Sequence, residues 1–172
     1  MTVQIRHETP DDIAAIEAVT IAAFAEAAHT SHTEQFIVRA LRTSDQLTLS
    51  LVAEEQGQVV GHVALSPVAI TDDHGHEASD WYGLGPISVL PAKQGQGIGS
   101  QLIKQALTEL RTNNAAGCVV LGEPAYYTRF GFQCHSDLQL PDVPPAYFMA
   151  LAMLGPVPAG TVRYSDAFNA VD

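Results

Sequence analysis

Apolar and polar positions follow two rhythms along this chain, and the changes of rhythm mark its elements. Val3-Gln4-Ile5-Arg6 alternates with period two, which predicts a short first strand. Thr9-Pro10-Asp11-Asp12 reads as a helix start: Thr9 caps, Pro10 suits the first helical position, and two carboxylates meet the positive end of the helix dipole. Ile13, Ile16, Thr20, Ala23 and Phe24 then recur at helical spacing. After the polar stretch Ala28 to Thr33, a second helix is expected from Glu34 to Leu41, with Phe36, Ile37, Ala40 and Leu41 on its apolar face. Leu47, Leu49 and Leu51 alternate with polar residues, and Val59 to Leu65 answers them across the turn Glu55-Gln56-Gly57-Gln58. Together they predict a hairpin. Thr71 to Ser79 reads as a polar loop.

The second half returns to longer periods. Leu84 to Leu90 predicts a strand closed by Pro91. A helix is expected from Gly97 or Ile98 to about Arg111, buried along Ile98, Leu102, Ile103, Ala106, Leu107 and Leu110. Asn113 to Gly117 ends it. Cys118-Val119-Val120-Leu121 is short and apolar, as a strand covered on both faces would be. Pro124 to Phe130 suggests a short helix, and Tyr147 to Leu154 a further strand. The order strand, two helices, hairpin, strand, helix, strand, helix and further strands predicts a mixed α/β domain. The unit from Leu84 to Leu121 should form a parallel, right-handed crossover. No internal repeat or linker divides the chain, so one domain over residues 1–172 is expected.

Composition narrows the class. With 47% hydrophobic and 16% charged residues, the chain is not compositionally disordered. It has no 18-residue apolar run, so no membrane span or membrane partner is expected, and its first residues lack a signal-peptide layout. Cys118 and Cys134 are the two cysteines and form no zinc or redox spacing. A cytoplasmic location is the resulting expectation. A net charge of −11 disfavours nucleic acid, which needs a cationic surface. Such a charge can attract a cationic amine, but solubility alone is the simpler reading.

The candidate chemistry centres on Gln94-Gly95-Gln96-Gly97-Ile98-Gly99-Ser100, a run with glycine at alternate positions between a strand and a helix. Glycine accepts positive φ and lets a ligand approach the backbone. The helix that follows offers free amides at its positive end, a combination suited to a pyrophosphate. The loop lacks the Lys-Ser/Thr that a P-loop needs, and its spacing is not that of a dinucleotide fingerprint. A turn that only caps a helix is the plain alternative.

Gln94-x-x-Gly97-x-Gly99 after Val89-Leu90-Pro91 resembles the acetyl-CoA motif of the GNAT superfamily of N-acetyltransferases. Tyr126-Tyr127-Thr128-Arg129-Phe130-Gly131-Phe132 is similar to that family's later Tyr-x-x-x-Gly-Phe signature. With Gly122-Glu123-Pro124-Ala125 before it, the segment looks like the YhbS-like bacterial branch. The resemblance covers roughly residues 3–135 and implies a central mixed, mostly antiparallel sheet flanked by helices. It implies acetyl-CoA as cosubstrate, no metal, and a small-molecule or peptide amine as acceptor, with a homodimer open by analogy. The amides of Gln94, Gly95, Gln96, Gly97, Ile98, Gly99 and Ser100 would bind the CoA pyrophosphate. Ile87, Ser88 and Val89 would bond the pantetheine arm like an added strand, in a slot where this strand and the Cys118 strand splay apart.

The implied reaction is attack of a neutral amine on a thioester. Deprotonating an alkyl ammonium at neutral pH costs roughly 4–5 kcal/mol, so a base or a water chain is useful, and a phenol can serve the departing thiolate. The backbone amide of Val89 is a candidate to polarise the carbonyl. Tyr127 matches the family position four residues before Gly131, and the resemblance implies that it is the acid; a tyrosine that only packs against the cofactor or the sheet is the plain alternative, and Tyr126 takes the role in a shifted register. The strand Leu84 to Leu90 carries no carboxylate, unlike that of many family members; Glu123, at the end of the next strand, is the candidate base, and a solvated or ion-paired carboxylate reads at least as well there. Glu26, His29 and His32 are weaker candidates for the acceptor side, as are Trp81, Tyr82 and the segment Tyr147 to Leu151, each of which reads more simply as surface or packing. Asp72-Asp73-His74-Gly75-His76-Glu77 has metal-type ligands but reads as a solvated hairpin tip, His62 as a core or face residue, and Cys118 as sheet packing. A domain that binds acyl-CoA without catalysis is the rival reading, and a nucleotide-binding protein of another fold a second.

Overall fold

The computed structural model describes residues 2–28 and 30–172. Its contacts divide the chain into two compact units. The first comprises Met1–Leu65, Gly85–Ala106 and Asp166–Asp172, and the second Ser66–Leu84 and Leu107–Ser165.

In the first unit, β1 (Val3–His7), β2 (Leu49–Glu55) and the first half of β3 (Gln58–Thr71) pair antiparallel in that order. The Gln56-Gly57 turn takes φ of 52° and 78°, the left-handed geometry of a tight hairpin. The last part of β5 (Trp81–Val89) follows β3, and the Leu90 amide closes onto the Val60 carbonyl at 2.9 Å. The Thr9-Pro10 start produces a 3-10 turn, Pro10–Asp12, before helix α1 (Ile13–Phe24). There the Asp12 carboxylate accepts the Thr9 backbone N–H at 2.7 Å and the Arg6 guanidinium at 2.7 Å. The Arg6 pairing holds Asp12 down to about 2. Helix α2 (Glu34–Thr43) runs one half-turn past the expected end. Ile16 and Val19 of α1 and Val38 of α2 bury against Val52 and Val59 of the sheet. Ile37 and Leu41 pack on Ala64 and on Ala167 of the chain end.

Beneath this layer His62 is fully buried. Its Nε2 lies 2.7 Å from Ser50 Oγ, and the Ser50 hydroxyl donates to the Glu8 carboxylate. The Ser50 oxygen therefore receives the Nε2–H, which sets the tautomer. Burial drives His62 down to about 4 and keeps it neutral.

In the second unit, β5 pairs with β6 (Gly117–Leu121) in parallel, and β6 pairs antiparallel with β8 (Phe148–Ala152). The far half of β3 carries β4 (Glu77–Ala78) and β9 (Gly160–Tyr164), both antiparallel, and β9 pairs in parallel with β7 (Leu138–Gln139). The core here is Val68, Ile70, Trp81, Val119, Phe148, Ala150 and Val162. The pairing is thus mixed and mostly antiparallel, as expected.

The differences from the expected elements have local causes. Strand β3 runs to Thr71 and not to Leu65, through Pro67. Its ladder with β2 ends at Leu65 and its ladder with β9 begins at Val68, so the missing N–H of Pro67 falls where neither partner needs it. Strand β5 begins at Trp81 because Trp81, Tyr82 and Gly83 pair with Gly117, Cys118 and Val119. The loop after Thr71 is shorter than expected and leads into β4, its tip tied by Asp72, which accepts the His74 and His76 amides at 2.8 and 2.9 Å. Leu47 lies outside β2, and Tyr147 belongs to a 3-10 turn ahead of β8.

Candidate active site

The glycine segment of the first unit is built from the end of β5. Val89 closes the strand, Pro91–Lys93 make a 3-10 turn, and helix α3 (Ile98–Thr112) begins at Ile98. Gly95 and Gly97 sit at φ of 79° and 83°, a region that penalises any side chain with a Cβ. No atom lies within 4 Å of where a Cβ would stand on either glycine, so the loop presents bare backbone to open space. Gln101 donates to the Gly97 carbonyl at 3.1 Å, which puts the positive end of the α3 dipole at this turn. Two side chains brace the loop from behind. Gln94 Nε2 donates to the Val89 carbonyl at 3.1 Å, and Lys93 Nζ pairs with Glu55 at 2.6 Å. The helix is seated by Gly61 of β3, where an added Cβ would come within 3.2 Å of both Ile98 and Leu102.

The three β5 candidates divide by face. Ser88 is buried, with its Oγ 3.5 Å from Thr20 of α1, while Ile87 and Val89 are half-buried. The loop residues Gln94, Gly95, Gln96 and Gly97 are exposed, Ile98 is buried, and Gly99 and Ser100 are half-buried. Among the cofactor candidates, Ile87 to Val89 and Gln94 to Ser100 thus form one continuous strand-to-helix connection.

Tyr127 belongs to the second unit. It ends α4 (Pro124–Tyr127), a single turn that starts at Pro124. The Glu123 carbonyl accepts both the Tyr126 and Tyr127 amides at 3.1 Å, which winds the turn. The Tyr127 ring lies over Gly122, where a Cβ would collide with it. It meets Tyr126 and Phe132 edge-on, with ring centroids at 5.1 and 6.0 Å. It is 8% exposed, and burial, with Tyr126 and Cys118 nearby, pushes its phenol up to about 12. Tyr127 is therefore a protonated donor at neutral pH. Tyr126 is half-buried under the Arg129 guanidinium, 4.8 Å from its ring centre. Gly131 closes the segment at φ 101°. Glu123 is exposed at the N-cap of α4, and its side chain makes no capping bond.

The weaker candidates separate too. Glu26 and His32 are exposed, and His29 lies outside the described residues. Trp81 is core and Tyr82 half-buried. Cys118 is fully buried, and burial raises its thiol. Among the described residues no group of His, Cys, Asp or Glu is arranged to hold a metal ion. A concavity of about 700 Å³ in the second unit is lined by Cys134, His135, Leu140, Val143 and Phe148 among others; of the candidates named from the sequence only Phe148, of the Tyr147 to Leu151 segment, is among them.

The mixed sheet flanked by helices, with a strand that passes through a glycine turn into a helix, is the fold of the acetyltransferases that follow. The family described as Acetyltransferase (GNAT) domain matches residues 46–134, more than half of the chain. The chain belongs to the GNAT acetyltransferase family. It is 39% identical over 138 residues to the uncharacterised N-acetyltransferase YhbS of Escherichia coli K12, covering 78% of this chain and 77% of that one. Two solved structures share the fold. A GNAT family acetyltransferase from Brucella melitensis, in complex with acetyl-CoA, is 50% identical with a TM-score of 0.85, over 97% of this chain and 98% of that one. YhbS from Escherichia coli in complex with CoA is 36% identical with a TM-score of 0.84, over 99% and 93%. No helix among the described residues is long and apolar enough to cross a membrane.

Proposed function

We propose that this chain, over residues 1–172, transfers the acetyl group of acetyl-CoA to a primary amine by direct attack. The observation that carries the reading is the exposed pair Gly95 and Gly97, both at positive φ with open space above them, leading into the first turn of α3. The bound acetyl-CoA and CoA of the two similar structures support it. The segment Gln94 to Ser100 holds the pyrophosphate through backbone N–H groups beyond Gln94, whose own N–H donates to the Pro91 carbonyl at 3.4 Å, at the positive end of a helix. The backbone of Ile87, Ser88 and Val89 pairs with the pantetheine amides, and the Val89 amide is our candidate for polarising the thioester carbonyl.

Tyr127 serves the leaving sulfur. A thiol has a pKa near 8.5, so full proton transfer from a phenol at about 12 is uphill by roughly 5 kcal/mol. Tyr127 therefore works as a hydrogen-bond donor that steadies the thiolate as the C–S bond breaks. The proton the thiolate finally takes is matched by the one released from the amine nitrogen as the amide forms. Glu123, being exposed, takes that amine proton in exchange with solvent.

The test is calorimetry with acetyl-CoA, followed by a thiol-release assay over spermidine, L-lysine and a lysine-containing peptide. Binding with amine-dependent thiol release supports the enzyme. Binding without release on a wide amine panel converts the reading to a binding module, and no binding at all refutes it.

A further inference from the structure

The concavity beside Phe148 belongs to the second unit and takes part in none of the chemistry above. At about 700 Å³ it falls within the range of pockets that hold small molecules. Its walls come from residues 134–148 and are mostly apolar: Leu140, Val143 and Phe148 join the core of this unit around Val119 and Ala150. Two ties keep the loop folded round the space. The Cys134 thiol donates to the Ala146 carbonyl at 3.3 Å, and Gln133 and Ala150 exchange backbone hydrogen bonds at 3.0 and 2.8 Å. Among the described residues that line it there is no Lys or Arg, and Asp142 is the one carboxylate. The pocket therefore has nothing to pair with an anion, and its apolar walls penalise a buried ammonium.

Its position ties it to the proposed chemistry. Phe148 stands opposite Leu121 in the last rung of the β6–β8 ladder. The residue after Leu121, Gly122, donates its N–H to the Tyr147 carbonyl at 2.9 Å, and the Tyr127 ring lies against the same Gly122. Leu121 and Tyr147 are 45% and 42% exposed, so open apolar surface continues from the Phe148 wall to the stretch that carries Glu123. Resting on the acetyltransferase reading above, we infer that this pocket holds the body of the acceptor, and that the acceptor is a primary amine with an uncharged, apolar body of the arylalkyl class. Its ring is buried against Leu140, Val143 and Phe148, while its amine reaches out along Leu121 and Tyr147 to Glu123.

The test is the thiol-release assay with phenethylamine, para-carboxyphenethylamine and spermidine, on wild type and on Ala146→Trp, which puts an indole at an exposed position of the pocket wall. In the wild type, kcat/KM for phenethylamine should exceed those for the other two by about tenfold or more, the worth of a filled apolar pocket. In Ala146→Trp the KM for phenethylamine should rise about tenfold, with the KM for spermidine and acetyl-CoA affinity by calorimetry unchanged within about twofold. A merely structural role for this loop would not divide the substrates in this way. A wild type that prefers spermidine or the carboxylated amine overturns the inference, as does an unchanged phenethylamine KM in Ala146→Trp or an equal loss for both amines. Should Ala146→Trp fail to fold, Pro141→Trp, also exposed on the wall, decides by the same readout. If wild-type releases no thiol with any amine, the proposed function falls and this inference with it; if wild-type is active and the variant keeps its phenethylamine KM, this inference falls alone.

Discussion

The loop from Pro91 to Ser100 and the surroundings of Tyr127 are built by opposite means. The loop is largely exposed, offers backbone in the proposed function, and depends on glycines whose φ angles admit no ordinary side chain. Tyr127 is buried, offers one hydroxyl in the proposed function, and depends on aromatic rings packed around it and on a glycine beside it. A backbone site is specified by which residues are absent; a side-chain site is specified by which residues surround it. The first should govern cosubstrate affinity and the second the rate of the chemical step.

The strongest separation is expected from Tyr127→Phe. It should lower kcat by about 100-fold or more while leaving acetyl-CoA affinity within twofold, checked by steady-state kinetics and calorimetry. Weaker binding of acetyl-CoA in this variant would break the division of labour.

The alkaline limit sharpens the same contrast. Tyr127 ionises near 10 when unfolded and near 12 when folded, so the folded state holds its proton more tightly. Its stabilising contribution is complete below pH 10 and is lost as the pH rises towards 12, by about 3 kcal/mol in all. Denaturant melts between pH 9 and 12 should show this decline in the wild type and a smaller one in Tyr127→Phe. An equal decline in both would mean that the phenol is not held protonated by its surroundings.

A change in the loop should act the other way. Gly97→Val puts a branched side chain at φ 83°, a cost of about 1–2 kcal/mol, and crowds the bare backbone. Acetyl-CoA dissociation constants should rise about tenfold or more, with kcat at saturation little changed. A fall in kcat alone would assign the loop to the chemistry.

The smallest effect is expected at Glu123. Because it is exposed, water can replace it, and Glu123→Gln should reduce kcat/KM by about threefold or less, mainly below neutral pH. A loss as large as that of Tyr127→Phe would make Glu123 the dedicated base.

The loop and the elements around it were legible in the chain because their determinants are local. Alternation marks β1, β2 and the first half of β3, helical spacing marks α1 to α3, and the glycine run announces its own backbone geometry. Tyr127 could be singled out by its distance from Gly131, but not its burial, because Gly122, Tyr126 and Phe132 act on it only once α4 has turned. The passage of β3 through Pro67 was hidden because proline ordinarily breaks a strand, and only the gap between the β2 and β9 ladders makes it harmless. The concavity beside Phe148 carried no signal either. Cys134 and Ala146 stand 12 residues apart in the chain, and nothing in either neighbourhood says that their hydrogen bond will fold the loop between them around it. Periodicity and backbone freedom are properties of a short stretch and travel with the sequence; the burial of a phenol and its neighbours are properties of a packed interior, and exist only after distant strands have paired.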